Sequence, residues 1–395
     1  MCSAFRLRTS VIVLLVVLTA CNSETTPAPP TEVPISSPGS ATASPEFTAT
    51  PESTTTPATT ATLTAQDLAA ELDTALQRVV EAGYLSGSVL VARDGQIILS
   101  QGYGLADRDK QIPNAAQTRY RIGSVTKQFT AMAILMLQEQ GKLNVQDPIC
   151  DYLTDCPMAW EGITLHHLLT HTSGIPGFTE LTGYETTKAT PSPPDQTILR
   201  FRDRPLDFPP GEKWRYSNSN YVLLGKIIER AAGQAYEDFL RTNIFEPLGM
   251  LNTGYDHNQS DLAVGYANQT TAPADYLDMT IPYAAGGLYS TVEDLYRWDQ
   301  ALYTEQLVPQ AALDNMFTAH ATIPNSGGMG YGYGWMIGKR HNRRIISHGG
   351  GIDGYTSVIV RYPDDKVTVI VLTNQQNLDP TATSEVLATV VFREP

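Results

Sequence analysis

The sequence predicts a mixed α/β (α+β) fold, in which an antiparallel sheet is flanked by helices and a mainly helical domain is inserted between its strands. Three observations predict this fold. Strand patterns occur at both ends of the folded part, helical patterns fill the middle, and short hairpin turns join the strands. The 395 residues are enough for a sizeable core. Within a folded region 63–395, we expect 63–123 and about 280–395 to form the sheet part and about 124–280 the helical part.

The first folded elements are a helix and a hairpin. A capping-box pattern begins at Thr64, and leucines then recur at helical spacing until Gly83. Strands over Ser88–Ala92 and Ile97–Ser100 flank Asp94-Gly95, a dipeptide typical of two-residue hairpin turns.

The later segments are assigned by the same periodicities. Helical spacing predicts helices over Thr164–Thr172, Asn220–Ala232, Ala235–Ile244 and Ser384–Phe392. The residues Ser290–Glu293 have the pattern of a second capping box. Runs of apolar and β-branched residues predict strands over Tyr333–Ile337, Arg344–Ser347, Thr356–Tyr362 and Val367–Thr373.

One stretch combines a nucleophile with a base. Ser124 and Lys127 lie three residues apart where an apolar run begins that continues to Gly141, which predicts a buried helix with both side chains in its first turn. Burial disfavours the ammonium form, so the pKa of Lys127 should be lowered and its amine could accept a proton. Backbone N–H groups at the helix start could stabilise an oxyanion. The alternative is that Ser124 only caps the helix and Lys127 is solvated.

Composition and charge exclude several classes of function. The net charge is −14 and no cluster of Lys and Arg occurs, which argues against a nucleic-acid partner. His167 and His171 have the spacing of a zinc-binding helix, but Leu168 stands where the zinc-protease pattern needs Glu. We therefore predict no metal and no cofactor.

The N-terminal part predicts export. Residues 1–21 have two arginines, a short apolar run and then Leu-Thr-Ala-Cys, which resembles the lipobox of a bacterial lipoprotein signal peptide. That resemblance implies lipid on Cys21 and anchoring to the outer face of a bacterial membrane. An ordinary signal peptide with an incidental Cys is the alternative. Residues 22–62 are rich in Ser, Thr and Pro and predict a disordered tether.

Two further cysteines lie close together in the chain. In an exported protein, Cys150 and Cys156 could form a disulfide that closes a short loop. Two buried free thiols are the alternative, because strain in so small a loop cannot be judged from spacing.

Three short motifs occur in a recognisable order. They are Ser124-x-x-Lys127, Tyr216-Ser217-Asn218 and His348-Gly349-Gly350-Gly351. The set resembles the serine β-lactamase and penicillin-binding-protein superfamily, and more closely its branch of class C β-lactamases, D-alanyl-D-alanine carboxypeptidases and carboxylesterases. Further stretches resemble that branch in the same order: Gly102–Asp107, Leu169–Gly174, Pro210-Gly211, Tyr221–Gly225, Pro247–Met250, Gly286–Thr291 and Leu372–Asn374. The resemblance covers about 64–392 and implies a β-lactamase-like fold.

The resemblance also implies roles. Ser124 is then the nucleophile, Lys127 activates it together with Tyr216, and Tyr216 carries a proton to and from the leaving group. Asn218 binds the substrate carbonyl and steadies Lys127. The backbone N–H groups of Ser124 and Gly351 form the oxyanion hole.

The third motif departs from the better-known Lys-Thr-Gly pattern. His348 and Gly350 are expected to bind substrate, but His348 replaces a permanently charged Lys and Gly349 replaces a Thr hydroxyl. Both changes weaken the binding of a carboxylate. We therefore expect a serine hydrolase that forms an acyl-enzyme with small-molecule or peptidyl esters or D-alanyl amides. The alternatives are a class C-like β-lactamase and a penicillin-binding cell-wall sensor with little turnover.

Overall fold

A computed structural model describes residues 64–393 of the protein. The predicted signal peptide with Cys21 and the predicted tether lie outside these residues. The described helices are α1 (Ala65–Glu81), α2 (Thr126–Glu139), α3 (Leu165–Leu169), α4 (Tyr184–Thr187), α5 (Pro194–Leu199), α6 (Asn218–Ala232), α7 (Tyr236–Leu240), α8 (Tyr283–Gly286), α9 (Val292–Ala301), α10 (Gln310–Met316) and α11 (Pro380–Val391). The described strands are β1 (Gly87–Arg93), β2 (Gln96–Tyr103), β3 (Leu105–Asp107), β4 (Ile112–Pro113), β5 (Tyr120–Arg121), β6 (Gly254–Tyr255), β7 (Leu288–Ser290), β8 (Ala321–Thr322), β9 (Gly330–Tyr331), β10 (Met336–Arg340), β11 (Arg343–Ile352), β12 (Tyr355–Tyr362) and β13 (Val367–Thr373).

The main sheet joins the two ends of the folded part. Its eight strands have the order β2-β1-β13-β12-β11-β10-β9-β8, and each neighbouring pair is antiparallel. β1 lies against β13 with Gly87 opposite Thr373. The hairpin turn between β1 and β2 has positive φ at both Asp94 and Gly95, as its sequence predicts. The predicted antiparallel sheet built from both ends is confirmed.

Both faces of this sheet are covered, and the alternation of side chains along β1 shows how. Val89 and Val91 pack with leucines of α1 and with α11, whereas Leu90 and Ala92 face the larger core that contains α2, α6 and α9. Successive side chains of a strand point to opposite faces, so one strand serves two cores. The helical segments between β5 and β8 therefore pack on one face, opposite the two terminal helices.

Some element boundaries differ from the sequence prediction. β11 runs through the whole glycine segment, which the sequence places at a strand edge, because pairing with β12 as far as Ile352 and Tyr355 stabilises it. α11 begins at Pro380 rather than Ser384, since Asp379 accepts hydrogen bonds from the next turn.

The capping residues explain two further boundaries. The capping box at Thr64 is present as predicted, whereas α9 is capped by Thr291 instead of Ser290. α6 begins at Asn218, two residues before the predicted start at Asn220. Within residues 64–393, no helix is long and apolar enough to cross a bilayer.

The structure joins Cys150 and Cys156 through a disulfide, with their Cα atoms 5.3 Å apart. We expect peptide mapping under non-reducing conditions to yield one linked fragment that contains both cysteines. After denaturation without reductant, neither thiol should react with an alkylating agent. Two alkylated cysteines in that sample would contradict the disulfide.

Candidate active site

The candidate nucleophile lies on a tight turn in front of a buried helix. Ser124 belongs to a 3-10 turn, Gly123–Val125, and α2 begins at Thr126, so Lys127 is the second residue of the α-helix. The side chain of Ser124 is partly exposed, and Lys127 is fully buried. The predicted i, i+3 relation thus spans a change of helix type but still brings the two side chains together.

The amine of Lys127 contacts three oxygens from three separate elements. Its Nζ lies 3.0 Å from Oγ of Ser124, 2.8 Å from Oδ1 of Asn218 and 2.7 Å from the carbonyl oxygen of Ala285. Burial lowers the pKa of Lys127 well below its usual value.

These contacts suit a neutral amine as well as an ammonium. A neutral amine has two N–H groups and one lone pair. The oxygens of Asn218 and Ala285 can only accept, so they take the two N–H groups, and the lone pair remains for the hydroxyl proton of Ser124. A protonated Lys127 would donate to all three oxygens. The amine can therefore take up the proton of Ser124 without movement of any heavy atom.

The second motif brings a phenol and an amide to the same amine. The ring centroid of Tyr216 is 4.9 Å from Nζ of Lys127. Burial raises the pKa of Tyr216, and the neighbouring hydroxyl of Ser124 partly offsets the shift. Asn218 donates from Nδ2 to Oγ1 of Thr179 at 3.1 Å, which fixes the amide so that its oxygen faces Lys127.

The glycines of β11 pack against the turn that carries the nucleophile. A Cβ on Gly350 would lie 2.1 Å from the carbonyl oxygen of Ile122 and 3.0 Å from the nitrogen of Ser124, so no larger residue fits. Gly123 has φ +48°, and a Cβ there would meet the nitrogen of Gly351 at 2.9 Å. The backbones of Ser124 and Gly351 thus come together at the cleft, as the predicted oxyanion hole requires. Gly350 is packed beneath the turn and is not among the cleft-lining residues.

His348 does not face the cleft, which revises its predicted contact with substrate. It is 1% exposed, its Nδ1 lies 2.6 Å from the carbonyl oxygen of Gly349, and its Nε2 lies 2.9 Å from the hydroxyl of Tyr331. Burial is the main cause that lowers the pKa of His348, to about 3. A neutral ring with both nitrogens occupied supports the site from behind and cannot pair with a substrate carboxylate.

The cleft above Ser124 has a volume of about 270 Å³. A larger hollow of about 550 Å³ lies beside Cys156 and contains none of the predicted catalytic residues. Within the described part of the chain, no Lys or Arg lines the cleft, but two carboxylates do. The lining residues are Gly123, Ser124, Phe178, Thr179, Tyr184, Glu185, Asn218, Leu277, Pro282, Ala285, Gly286, Gly351, Ile352 and Asp353.

The cleft carboxylates share one cation. Nζ of Lys188 lies 2.5 Å from Asp353 and 2.8 Å from Glu185, with Asp275 at 4.0 Å. Three acidic side chains around one ammonium leave this edge of the cleft with net negative charge.

Sequence reasoning missed several contributors to the site. The carbonyl of Ala285 and the hydroxyl of Thr179 hold Lys127 and Asn218, but neither residue belongs to a motif of reactive side chains. The spacing of His171 suggests only a metal-ligand role for its side chain, whereas the structure places it beside Tyr216, with ring centroids 4.4 Å apart. Residues 64–393 hold no group of three His, Cys, Asp or Glu side chains placed to bind a metal ion.

The fold and the paired serine and lysine are those of a serine hydrolase of the β-lactamase and penicillin-binding-protein superfamily. The β-lactamase family matches residues 65–390, and the chain belongs to that family.

Several relatives are penicillin-binding proteins or amidohydrolases. The chain is 32% identical to a penicillin-binding protein of Bacillus subtilis (strain 168) over 331 residues, which cover 79% of this chain and 73% of that protein. It resembles the octameric penicillin-binding protein homologue of Pyrococcus abyssi, with a TM-score of 0.72, 31% identity, and coverage of 82% of this chain and 77% of that one. It also resembles a D-stereospecific amidohydrolase of Streptomyces sp., with a TM-score of 0.68, 29% identity, and coverage of 82% and 98%.

The lowered pKa of Lys127 predicts the pH dependence of turnover. If its neutral amine is the base, kcat/KM should be level above that lowered pKa and fall by about tenfold per pH unit below it. Lys127→Arg should remove turnover at every pH, because a guanidinium stays protonated. The measurement is kcat/KM against pH, with circular dichroism to confirm folding. Activity that instead disappears as pH rises through the ordinary lysine pKa would contradict a neutral base.

Proposed function

We propose that the protein is an exported, lipid-anchored serine hydrolase that cleaves ester or D-alanyl amide bonds through an acyl-enzyme on Ser124. The observation that carries this proposal is the 3.0 Å contact between Oγ of Ser124 and Nζ of the buried Lys127. A nucleophile needs a base within hydrogen-bond reach, and burial lowers the pKa of this amine, which favours its neutral form.

The geometry supports the following route of acylation. Lys127 takes the hydroxyl proton while Oγ of Ser124 attacks the substrate carbonyl carbon. The backbone N–H groups of Ser124 and Gly351 bind the resulting oxyanion. Collapse of the tetrahedral intermediate breaks the ester or amide bond, and Tyr216 gives a proton to the leaving group and regains one from Lys127. Water then attacks the acyl-enzyme by the same route and frees Ser124.

The charge around the cleft supports substrates without a carboxylate beside the scissile bond. Glu185 and Asp353 line the cleft, and His348 is neutral and turned away. A neutral ester or an amide with a free amine avoids the repulsion that a carboxylate would meet. The likeness to a D-stereospecific amidohydrolase supports an amide of a D-amino acid among the substrates.

A class C-like β-lactamase and a slowly turning penicillin-binding sensor are the competing functions, because several relatives are named penicillin-binding proteins. Penicillins and cephalosporins carry a carboxylate, which the negative charge of the cleft repels. The cleft charge therefore favours neither β-lactamase activity nor penicillin binding as the main function. A panel of a short neutral ester, a D-amino-acid amide, the same amide with a succinylated amine and a cephalosporin separates these functions. We expect the first two to turn over faster than the last two.

Covalent labelling tests the nucleophile. A fluorophosphonate should add mass to the peptide that contains Ser124 and to no other peptide, and heat-unfolded protein should not react. Ser124→Ala should abolish labelling and reduce turnover by at least about 10³-fold, because it removes the attacking atom. Mass spectrometry and steady-state kinetics check both results. A folded Ser124→Ala variant with wild-type turnover would refute the proposal.

Anchoring is tested separately at Cys21, which lies outside the described residues. Cys21→Ala should move the protein from the membrane fraction to the soluble fraction while the hydrolase activity per mole stays unchanged. Fractionation and mass spectrometry of the mature N-terminus provide the measurement. A wild-type protein without lipid on its N-terminus would contradict anchoring and leave the hydrolase proposal intact.

A further inference from the structure

A row of buried polar side chains behind Tyr216 takes no part in the steps above. His171, Tyr331 and His348 are each at most 1% exposed. The hydroxyl of Tyr331 lies 3.2 Å from Nε2 of His171 and 2.9 Å from Nε2 of His348. A phenol has one proton, so Tyr331 cannot donate to both rings, and the far nitrogen of each ring shows which way its bond runs.

The far nitrogen of His171 decides its role. Nδ1 of His171 lies 3.1 Å from the backbone nitrogen of Ser217 and 3.5 Å from Nδ2 of Asn220, and both of these groups are donors. Nδ1 must therefore accept. In a neutral imidazole the proton is then on Nε2, which donates to the oxygen of Tyr331.

The far nitrogen of His348 gives the opposite result. Nδ1 of His348 faces the carbonyl oxygen of Gly349 at 2.6 Å, and a carbonyl only accepts, so Nδ1 carries the proton. Nε2 is then free to accept the proton of Tyr331. Burial lowers the pKa of both His171 and His348, which keeps each ring to a single proton.

All the hydrogen bonds thus point the same way. Ser217 N–H donates to His171, His171 donates to Tyr331, Tyr331 donates to His348, and His348 donates to the carbonyl of Gly349. The chain begins next to Tyr216 and ends two residues before Gly351 in β11. The backbone nitrogen of Arg215 also donates to the carbonyl of His171 at 3.0 Å. Both neighbours of Tyr216 are therefore fixed to one histidine.

We propose that Tyr331 is a positioning residue. Through this directed chain of hydrogen bonds it joins the segment around Tyr216 to β11, the strand that carries the oxyanion-binding N–H group of Gly351. The proposal rests on the proposed function in one respect, the role given to Tyr216. Because both ends of the chain of hydrogen bonds are fixed, Tyr331 holds the phenol of Tyr216 at a set distance from the N–H group of Gly351. The phenol transfers the proton, and the N–H group binds the oxyanion. Tyr331 does not line the cleft.

The first test is spectroscopic and requires no activity. The chain contains seven histidines, so labelling them with ¹⁵N gives few imidazole signals, which the variants His171→Gln and His348→Gln assign. We expect the wild-type protein to carry the proton of His348 on Nδ1 and that of His171 on Nε2. A proton on Nε2 of His348, or on Nδ1 of His171, would overturn the proposal.

The second test is kinetic. Tyr331→Phe should lower kcat on a neutral ester by about 10- to 100-fold and leave KM within about twofold, because alignment is lost while the cleft lining is kept. Tyr333→Phe is the matched control. Tyr333 is equally buried, but its hydroxyl contacts Nδ1 of His166 at 2.8 Å and does not join the chain. The kcat of Tyr333→Phe should stay within about twofold of the wild-type value.

Rates are expressed per fluorophosphonate-reactive site, so a loss of folded protein does not lower them. Equal kcat in the two variants would overturn the positioning role. If wild-type protein is not labelled at Ser124, the proposed function fails, and the ¹⁵N spectrum still decides whether the directed chain exists. The spectrum also decides the question if Tyr331→Phe does not fold.

Discussion

The buried amine of Lys127 is the constraint on which the site depends. An unpaired amine in this position would cost several kcal/mol, so its hydrogen-bonding groups must be matched by the protein. The partners come from the turn before α2, from the start of α6 and from α8. Satisfying one amine thus fixes how three separate helical segments meet, and the partly exposed Ser124 is placed at their junction.

The sheet can approach this junction closely because the residues at the contact are glycines, which have no side chain. Gly350 lies against the backbone of Ile122, and Gly123 lies against Gly351, at separations that leave no room for a Cβ. The hydroxyl of Ser357 donates to the carbonyl of Ile122 at 2.8 Å and fastens the contact. The strand and the turn therefore meet without intervening side chains, which is an arrangement that suits preorganised N–H donors.

Local pattern was sufficient to predict much of the fold and part of the site. The apolar and β-branched runs of the strands, the Asp94-Gly95 turn and the cap at Thr64 depend on neighbouring residues, and each is present. The carbonyl of Ala285 could not be predicted, because a backbone acceptor leaves no mark on residue type. A glycine run also hides which face of a strand looks inward, and for that reason the buried position of His348 was missed.

The order of the elements along the chain has a consequence for synthesis. Ser124 and Lys127 belong to the first half of the folded part, but the strand that completes their cleft comes late, and the bond between Ser357 and Ile122 joins residues 235 positions apart. During synthesis, Ser124 and Lys127 are therefore made well before β11, the strand that carries Gly351. Such long-range pairing is slow to form and forms cooperatively. We therefore expect a chain that ends before β11 to be inactive, because it lacks the backbone N–H group of Gly351.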